Sequence, residues 1–408
     1  MRSIPWAGVA LATLLSACSD GPAVPRPLEG LPRPLTAAEQ KVVVGSNAFA
    51  FGLLRAAPER QGNVFVSPLS VSMALGMAMN GARGTTRDEM SGTLGFGGMS
   101  PDDVNGSYHS LIDLLRGLDG TTDMRLANSV WYRQGFPFDA AYLDATRTSF
   151  GAQVTALDFG DPAARDRINA WVREGTGGKI PTIVDAVDGS SVMFLVNAVY
   201  FKGRWTAQFD RSATHDAPFH RTGAPAVTVP MMSREGTYAV SGGLGWQAVD
   251  LPYGNGAFSM TVVLPAEGTS ASALAARMTP AAWDSVVSSL HPMQLTVRIP
   301  RFRLEYGGDL AGALQGLGMR QAFAQGGADF TGMSASAGHD LFVSAVQHKT
   351  FVDVNEEGTE AAAATSVDVN VTSLPPSFVA DRPFLVAIRE RFSGTILFLG
   401  RIEDPRQS

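Results

Sequence analysis

Apolar residues recur at helical spacing through the first part of the chain and at strand spacing through the rest. Thr36 and Glu39 have the three-residue separation of a capping box, and Val44, Ala48, Phe51 and Leu54 then fall on one helical face. Asp139–Phe150 and Pro162–Glu174 repeat that period, and helical patterns dominate to about residue 175. Val192–Tyr200 differs. It is a nearly continuous apolar run with Asn197 as its one strongly polar side chain, which predicts a strand buried on both faces. Strand patterns prevail afterwards, at Ala226–Met232, Ser259–Leu264, Leu295–Leu304, Lys349–Val354 and Thr395–Leu399. Mixed helices and strands without regular βαβ alternation predict an α+β fold. No internal repeat and no Pro/Gly-rich linker follows residue 36, so residues 36–408 read as one domain.

The chain ahead of that domain has another character. Arg2 supplies a positive n-region, and Ala7–Ala17 is a mostly apolar stretch too short to span a bilayer as a helix. It ends in Leu15-Ser16-Ala17-Cys18, which resembles the bacterial lipobox. The resemblance implies that residues 1–17 are a lipoprotein signal peptide and that Cys18 is lipidated. The alternative is an ordinary secretory signal with an incidental Cys. Cys18 is the single Cys in the chain, so no internal disulfide can form and the core alone must stabilise the domain. Pro22, Pro25, Pro27, Pro32 and Pro34 make residues 18–35 a Pro-rich tether. The expected location is the cell envelope, lipid-anchored to a bacterial membrane and facing the periplasm or the exterior.

Composition narrows the partners. With 45% hydrophobic and 17% charged residues the chain can bury a large core, and its net charge of −6 gives no basic surface for nucleic acid. A hydrolase is the natural rival in a secreted setting, but the expected motifs are missing. There is no Gly-x-Ser-x-Gly elbow, no Ser-x-x-Lys and no His-Glu-x-x-His. His109, His215, His220, His291, His339 and His348 are scattered, Gly254-Asn255-Gly256 reads as a turn, and Gly178-Lys179 lacks the hydroxyl of a P-loop. No catalytic residue, metal site or cofactor is expected.

The most informative stretch runs from Glu356 to Pro376. Alternate residues from Thr359, through Ala361, Ala363, Thr365, Val367, Val369 and Val371, are small or β-branched. The interleaved set, Glu360, Ala362, Ala364, Ser366, Asp368 and Asn370, is mainly polar. That is the period of a half-buried strand. Yet Ala361–Ala364 has poor strand propensity, Pro375-Pro376 ends the run, and Gly358 permits a backbone change at its base. An ordinary edge strand fits the same pattern, so the segment alone leaves the matter open.

Its surroundings decide between them. Glu356–Ala364, with Glu356, Gly358, Thr359, Glu360, Ala361, Ala362, Ala363 and Ala364, resembles the hinge of inhibitory serpins. Asn63–Met90 resembles the segment leading into and through the serpin second helix, and Leu195–Trp205 its central strand. Val229-Pro230-Met231-Met232, Asp381–Phe384 and Phe398–Pro405 resemble further family segments in the same order. The chain is thereby identified as a serpin with an added lipobox and tether. The resemblance implies helices around a large mixed sheet, further sheets, and an exposed reactive loop at about residues 356–376.

It also implies a function: suicide-substrate inhibition of a serine protease, with the acyl-enzyme trapped by loop insertion into the sheet and no turnover. The scissile bond would join Thr372 to Ser373, with Val371 as the neighbour presented by a one-residue slip. Both Thr372 and Val371 suit a shallow elastase-like or subtilisin-like pocket. Ser67, Ser70, Asn197 and His348 match the polar cluster beneath the sheet centre; a satisfied core network is the bland reading of the same residues. Arg301 and Glu356 match a pair at the upper end of the sheet, with Trp205 beside it. No Lys/Arg cluster lies around Tyr108–Leu118, so no glycosaminoglycan site is expected, and a monomer is. The alternatives are a non-inhibitory serpin acting as a binding or chaperone-like module, and a cell-envelope hydrolase. The first usually carries bulky, charged or Pro residues at inward hinge positions, which Thr359–Ala364 lacks.

Overall fold

The computed structural model describes residues 27–60, 62–189, 191–359 and 376–406. Cys18, Glu360 to Ala364, and Val371, Thr372 and Ser373 lie outside those residues. The described chain is α+β: helices packed about two mixed sheets. Strands and helices are numbered along the chain. The sheet that bears on function has β4 (Met193–Arg204) at its centre. On one side lie β2 (Asp123–Arg133) and then β3 (Gln153–Leu157); on the other lie β11 (Gln347–Asn355) and then β10 (Phe302–Asp309). A two-residue strand, β12 (Gly358–Thr359), enters between β4 and β11.

The second sheet runs in the order β1 (Val64–Val66), β15 (Ile396–Ile402), β14 (Phe384–Glu390), β8 (Phe258–Pro265), β7 (Trp246–Tyr253), β6 (Val227–Gly243), β9 (His291–Pro300) and β13 (Ser377–Val379). The short β5 (His215–Phe219) also pairs with β6.

Strand β4 is buried on both faces because each face meets a different core. Val199 and Phe201 belong to the main core with α1 (Ala37–Ala56), α2 (Pro68–Gly81) and the second sheet. Val196 and Ala198 join a smaller core with Ile168 and Val172 of a helix at Ala163–Gly175, and with Ile180, Ile183 and Val184 beyond it.

The capping box forms: Thr36 Oγ1 accepts from the Glu39 amide, and the Glu39 carboxylate accepts from the Thr36 amide. The buried face of α1 is carried by Val42, Val43, Phe49, Ala50, Phe51, Leu53 and Leu54, so Phe51 and Leu54 lie on it as the spacing predicts. Val44 points to solvent, 67% exposed, so the stripe read through Val44 and Ala48 is displaced from the true one. Three strands also lie in the part that reads as helical, β1, β2 and β3. The run Leu295–Leu304 is not one strand. It changes sheets at Pro300-Arg301, where Pro300 has no N–H to continue a ladder and the Arg301 amide donates to Pro230 instead.

The described part of the Pro-rich segment expected as a tether over residues 18–35 packs against the domain. From Leu28 onward it is docked. The Leu28 amide donates to the Asn255 carbonyl at 2.7 Å, and Leu28, Leu31 and Leu35 pack on the main core. Arg33 forms a two-pronged ion pair with the buried Glu39 at 2.6 and 2.8 Å. The Arg33 guanidinium and the capping-box amide hold the Glu39 carboxyl down at about 2.

Candidate functional site

The site is a wedge in the central sheet. At its lower part β4 and β11 pair directly in parallel, with Asn197, Ala198 and Val199 opposite His348, Lys349 and Thr350. At its upper end the two strands are parted by β12, whose Gly358 and Thr359 pair with Arg204 and Gly203 on one side and with Asn355 and Val354 on the other. Tyr200–Lys202 and Phe351–Asp353 lie between these two paired regions and are not paired to each other. One strand width is about 4.8 Å, so the separation roughly doubles from the closed part to the open end.

The hinge turn is held from one side. The Trp205 amide donates to Glu357 O and the Phe209 amide to Glu356 O, at 2.9 and 2.8 Å. Trp205 Nε1 donates to Asn355 O at 2.9 Å. Thr214 Oγ1 donates to Glu356 Oε1 at 2.8 Å, and Arg211 Nη2 donates to Glu357 Oε1. Arg301, the partner expected for Glu356, stands 3.7 Å from its carboxylate and is half exposed, so Thr214 makes the closer contact.

Gly358 adopts φ +149°. A Cβ there would sit 2.1 Å from the Gly203 carbonyl, so the turn requires glycine both for its backbone and for the close approach of β4. Thr359 points inward and is 1% exposed. Its hydroxyl shares a 2.8 Å hydrogen bond with Tyr253 Oη, and the Tyr253 ring stacks on Trp205 at 4.5 Å between centroids. Burial raises the Tyr253 phenol well above its ordinary pKa.

The residues expected beneath the sheet centre are brought to one region but not into one network. His348 Nε2 accepts from the Ser67 amide at 3.1 Å, and Ser67 Oγ donates to Leu397 O at 2.7 Å. Ser67 stands at the N-cap of α2, yet its hydroxyl makes no cap bond. Asn197 turns to Asn128 of β2, its register partner, which in turn donates to Phe150 O at 2.9 Å. Ser70 Oγ and Asn197 Oδ1 are buried without a hydrogen-bond partner. A small cavity of about 10 Å³ lies beside them, lined by Val71, Leu75, Asn197, Val346 and His348 among others.

Sequence reading missed Asn128, Thr214, Arg211 and Tyr253. Asn128 had a usable signal: Met124, Leu126, Asn128 and Val130 alternate at strand spacing with an Asn in an otherwise apolar row. Tyr253 had none, because its role depends on β7 crossing behind the hinge.

His348 is 2% exposed, and desolvation pushes its imidazole down to about 3. It is therefore neutral at pH 7, as its acceptor role requires. An unfolded His titrates near 6.5, so below that pH the unfolded chain binds a proton that the folded one refuses. Stability from this group is complete above pH 6.5 and is lost at about 1.4 kcal/mol per pH unit as pH falls toward 3. Denaturant titrations should show about 2 kcal/mol lost from this group between pH 7 and pH 5. His348→Gln, which cannot titrate, should lose correspondingly less over that interval. An identical loss in both proteins would remove His348 as the source.

A mixed sheet parted at one end by a two-residue strand, above a buried Ser–His contact, defines the class of protein. The family model described as "Serpin (serine protease inhibitor)" matches residues 44–405, and the chain belongs to that family. It is 37% identical to horse leukocyte elastase inhibitor over 90% of this chain and all of that one. The fold is similar to that of tengpin, a thermophilic serpin solved in its native state: TM-score 0.83, 26% identity, 94% of this chain and 97% of that one. It is also similar to human thyroxine-binding globulin, with TM-score 0.82 and 29% identity over 91% of this chain and 100% of the other. Among the described residues no group of three or more His, Cys, Asp or Glu is arranged to hold a metal ion.

Proposed function

We propose that this chain is a suicide-substrate inhibitor of serine proteases with elastase-like or subtilisin-like pockets. The protease serine oxygen attacks the Thr372 carbonyl, the bond to the Ser373 nitrogen breaks, and that nitrogen leaves with a proton from the protease base. Thr372 is then esterified to the enzyme. The freed segment 359–372 enters between β4 and β11, as a strand about 45 Å long at about 3.3 Å per residue. The attached protease is carried away from its docking position before water can cleave the ester.

The observation that carries this reading is the position of β12. The hinge already occupies the upper end of the gap, and a ladder of only Asn197–Val199 against His348–Thr350 closes the strands below it. Glu360 onward has a path that requires parting a short ladder rather than building a new sheet. A small, weakly polar side chain leads the way at Thr359, as a segment that must slide between packed strands requires. The name of the horse relative, an inhibitor of leukocyte elastase, agrees with the small residues at Val371 and Thr372.

Incubation with pancreatic elastase followed by denaturing electrophoresis tests the reading. A stable higher-mass complex is expected, with the released peptide beginning at Ser373. Cleavage without a complex would make the protein a substrate and end the inhibitor reading. Thr372→Arg should transfer complex formation from elastase to trypsin, since a trypsin-like pocket carries an acid at its base.

The anchor belongs to the same proposal: Cys18 is lipidated and holds the domain at the surface of a bacterial envelope membrane. Cys18→Ser should move the protein from the membrane to the soluble fraction. Unchanged fractionation would exclude Cys18 as the anchor.

A further inference from the structure

The docked proline-rich segment determines where a membrane attachment meets the domain. Leu28 is bonded to Asn255 at 2.7 Å. Its neighbour Gly254 donates to Arg204 O at 2.8 Å, and Thr206 Oγ1 donates to Gly254 O at 2.9 Å. Arg204 is the register partner of Gly358. A path of two hydrogen bonds and one strand pairing thus joins Leu28 to the hinge.

The turn that receives Leu28 is itself firmly held. The Asn255 amide donates to the Asp119 carboxylate at 3.2 Å, and Asn255 Nδ2 donates to Leu118 O at 2.8 Å. Farther along, the Arg33–Glu39 pair, which also engages Ser110, fixes the segment to the start of α1. Whatever their conformation, the residues from Cys18 to Leu28 cannot reach beyond about 33–36 Å, given about 3.3–3.6 Å per residue.

We infer that residues 28–35 are an orienting strap, and that the surface around the Asp119–Asn255 contact at the hinge end of the sheet faces the lipid bilayer. A free tether over residues 18–35 would let the domain tumble. The strap shortens the free part to the residues before Leu28 and biases the hinge end toward the membrane and the opposite end away from it. A target enzyme would then be met close to the membrane surface. This rests on the anchor at Cys18, but the geometry can be tested without it, because Cys18 is the only thiol in the chain.

The test uses residues 18–408, coupled through Cys18 to maleimide-headgroup lipid in phosphatidylcholine vesicles that also carry an acceptor dye. A click-labelled donor residue is placed at Gly120 or at Gly312. Both are exposed, and a Cβ at either meets nothing within 4 Å. Gly120 adjoins Asp119 under the strap. Gly312 follows β10, whose last residue, Asp309, pairs with Gln347 at the far end of the sheet. The register pairs next to them, Asp123 with Lys202 and Asp309 with Gln347, stand about 20 Å apart along the strands.

Energy transfer to the membrane should be severalfold stronger from Gly120 than from Gly312. Replacing Leu28 and Leu31 with Asp should bring the two signals together, with the Leu28 amide losing hydrogen-exchange protection. Equal transfer in the unsubstituted protein, or stronger transfer from Gly312, would overturn the inference. Lipidation is read separately, from the mass of the N-terminal peptide of protein taken from a bacterial membrane, so its failure would not be confused with failure of the strap.

Discussion

Cleavage within residues 360–375 is expected to raise the melting temperature by on the order of 10 °C or more. On insertion Val367, Val369 and Val371 would move from the loop into the sheet, each contributing about 1.5–3 kcal/mol by burial. At about 1.3 °C per kcal/mol for a domain of this size, the valines account for about 6–12 °C of that rise. The ordering cost of the strand is set against backbone hydrogen bonds gained on both of its edges. The ladder that must part is short, only Asn197–Val199 against His348–Thr350. It would be replaced by longer ladders between the inserted strand and both β4 and β11. Calorimetry before and after limited elastase digestion measures the change. An unchanged or lower melting temperature would rule out insertion and leave an ordinary surface loop.

Thr359→Arg should convert the inhibitor into a substrate, with complex formation falling by a hundredfold or more. Thr359 is buried beside Tyr253, and Tyr253 lies flat on Trp205. An arginine there must leave water with no carboxylate described in contact with Thr359. A buried, unpaired charge costs several kcal/mol, and every 1.4 kcal/mol is a factor of ten in partition. The hinge would then stay out of the gap, and deacylation would outrun insertion. Thr359→Val separates charge from shape. It keeps the volume but loses the bond to Tyr253, a matter of about 1 kcal/mol, and should retain most complex formation. The ratio of complexed to cleaved protein on a denaturing gel gives the partition directly. Full complex formation by Thr359→Arg would mean that burial of an uncharged side chain at this position is not needed for insertion.

Local signals in the sequence located much of this. The capping box at Thr36 and Glu39 is a contact between near neighbours, so residue types and spacing suffice to predict it. The run Val192–Tyr200 announced a strand with two dry faces, because no polar side is left to meet water. Gly358 followed by a small residue marked the turn where the chain doubles back beside β4.

Contacts between distant segments were not legible in the same way. The helical stripe in α1 was misplaced because the partners that choose its buried face come from other segments of the chain, and Val44 is as apolar as Val43 until they are in position. Pro27, Pro32 and Pro34 fit the non-helical course of the described residues 27–35, but prolines could not reveal that Leu28, Leu31 and Leu35 have a surface to cover. That surface exists only once Asn255 and Asp119 have been brought together.

By itself, then, the sequence determined the family, since its motifs are written in consecutive positions whose chemistry is local. Tertiary structure decided that Glu356 bonds to Thr214 more closely than to Arg301 and that Asn197 answers Asn128. It also decided that Thr359 rests against Tyr253 and that the N-terminal segment is docked at the hinge end. Each of these pairs is far apart in the chain. Which polar group finds which partner is set by strand register and packing, and neither exists until the whole sheet has closed.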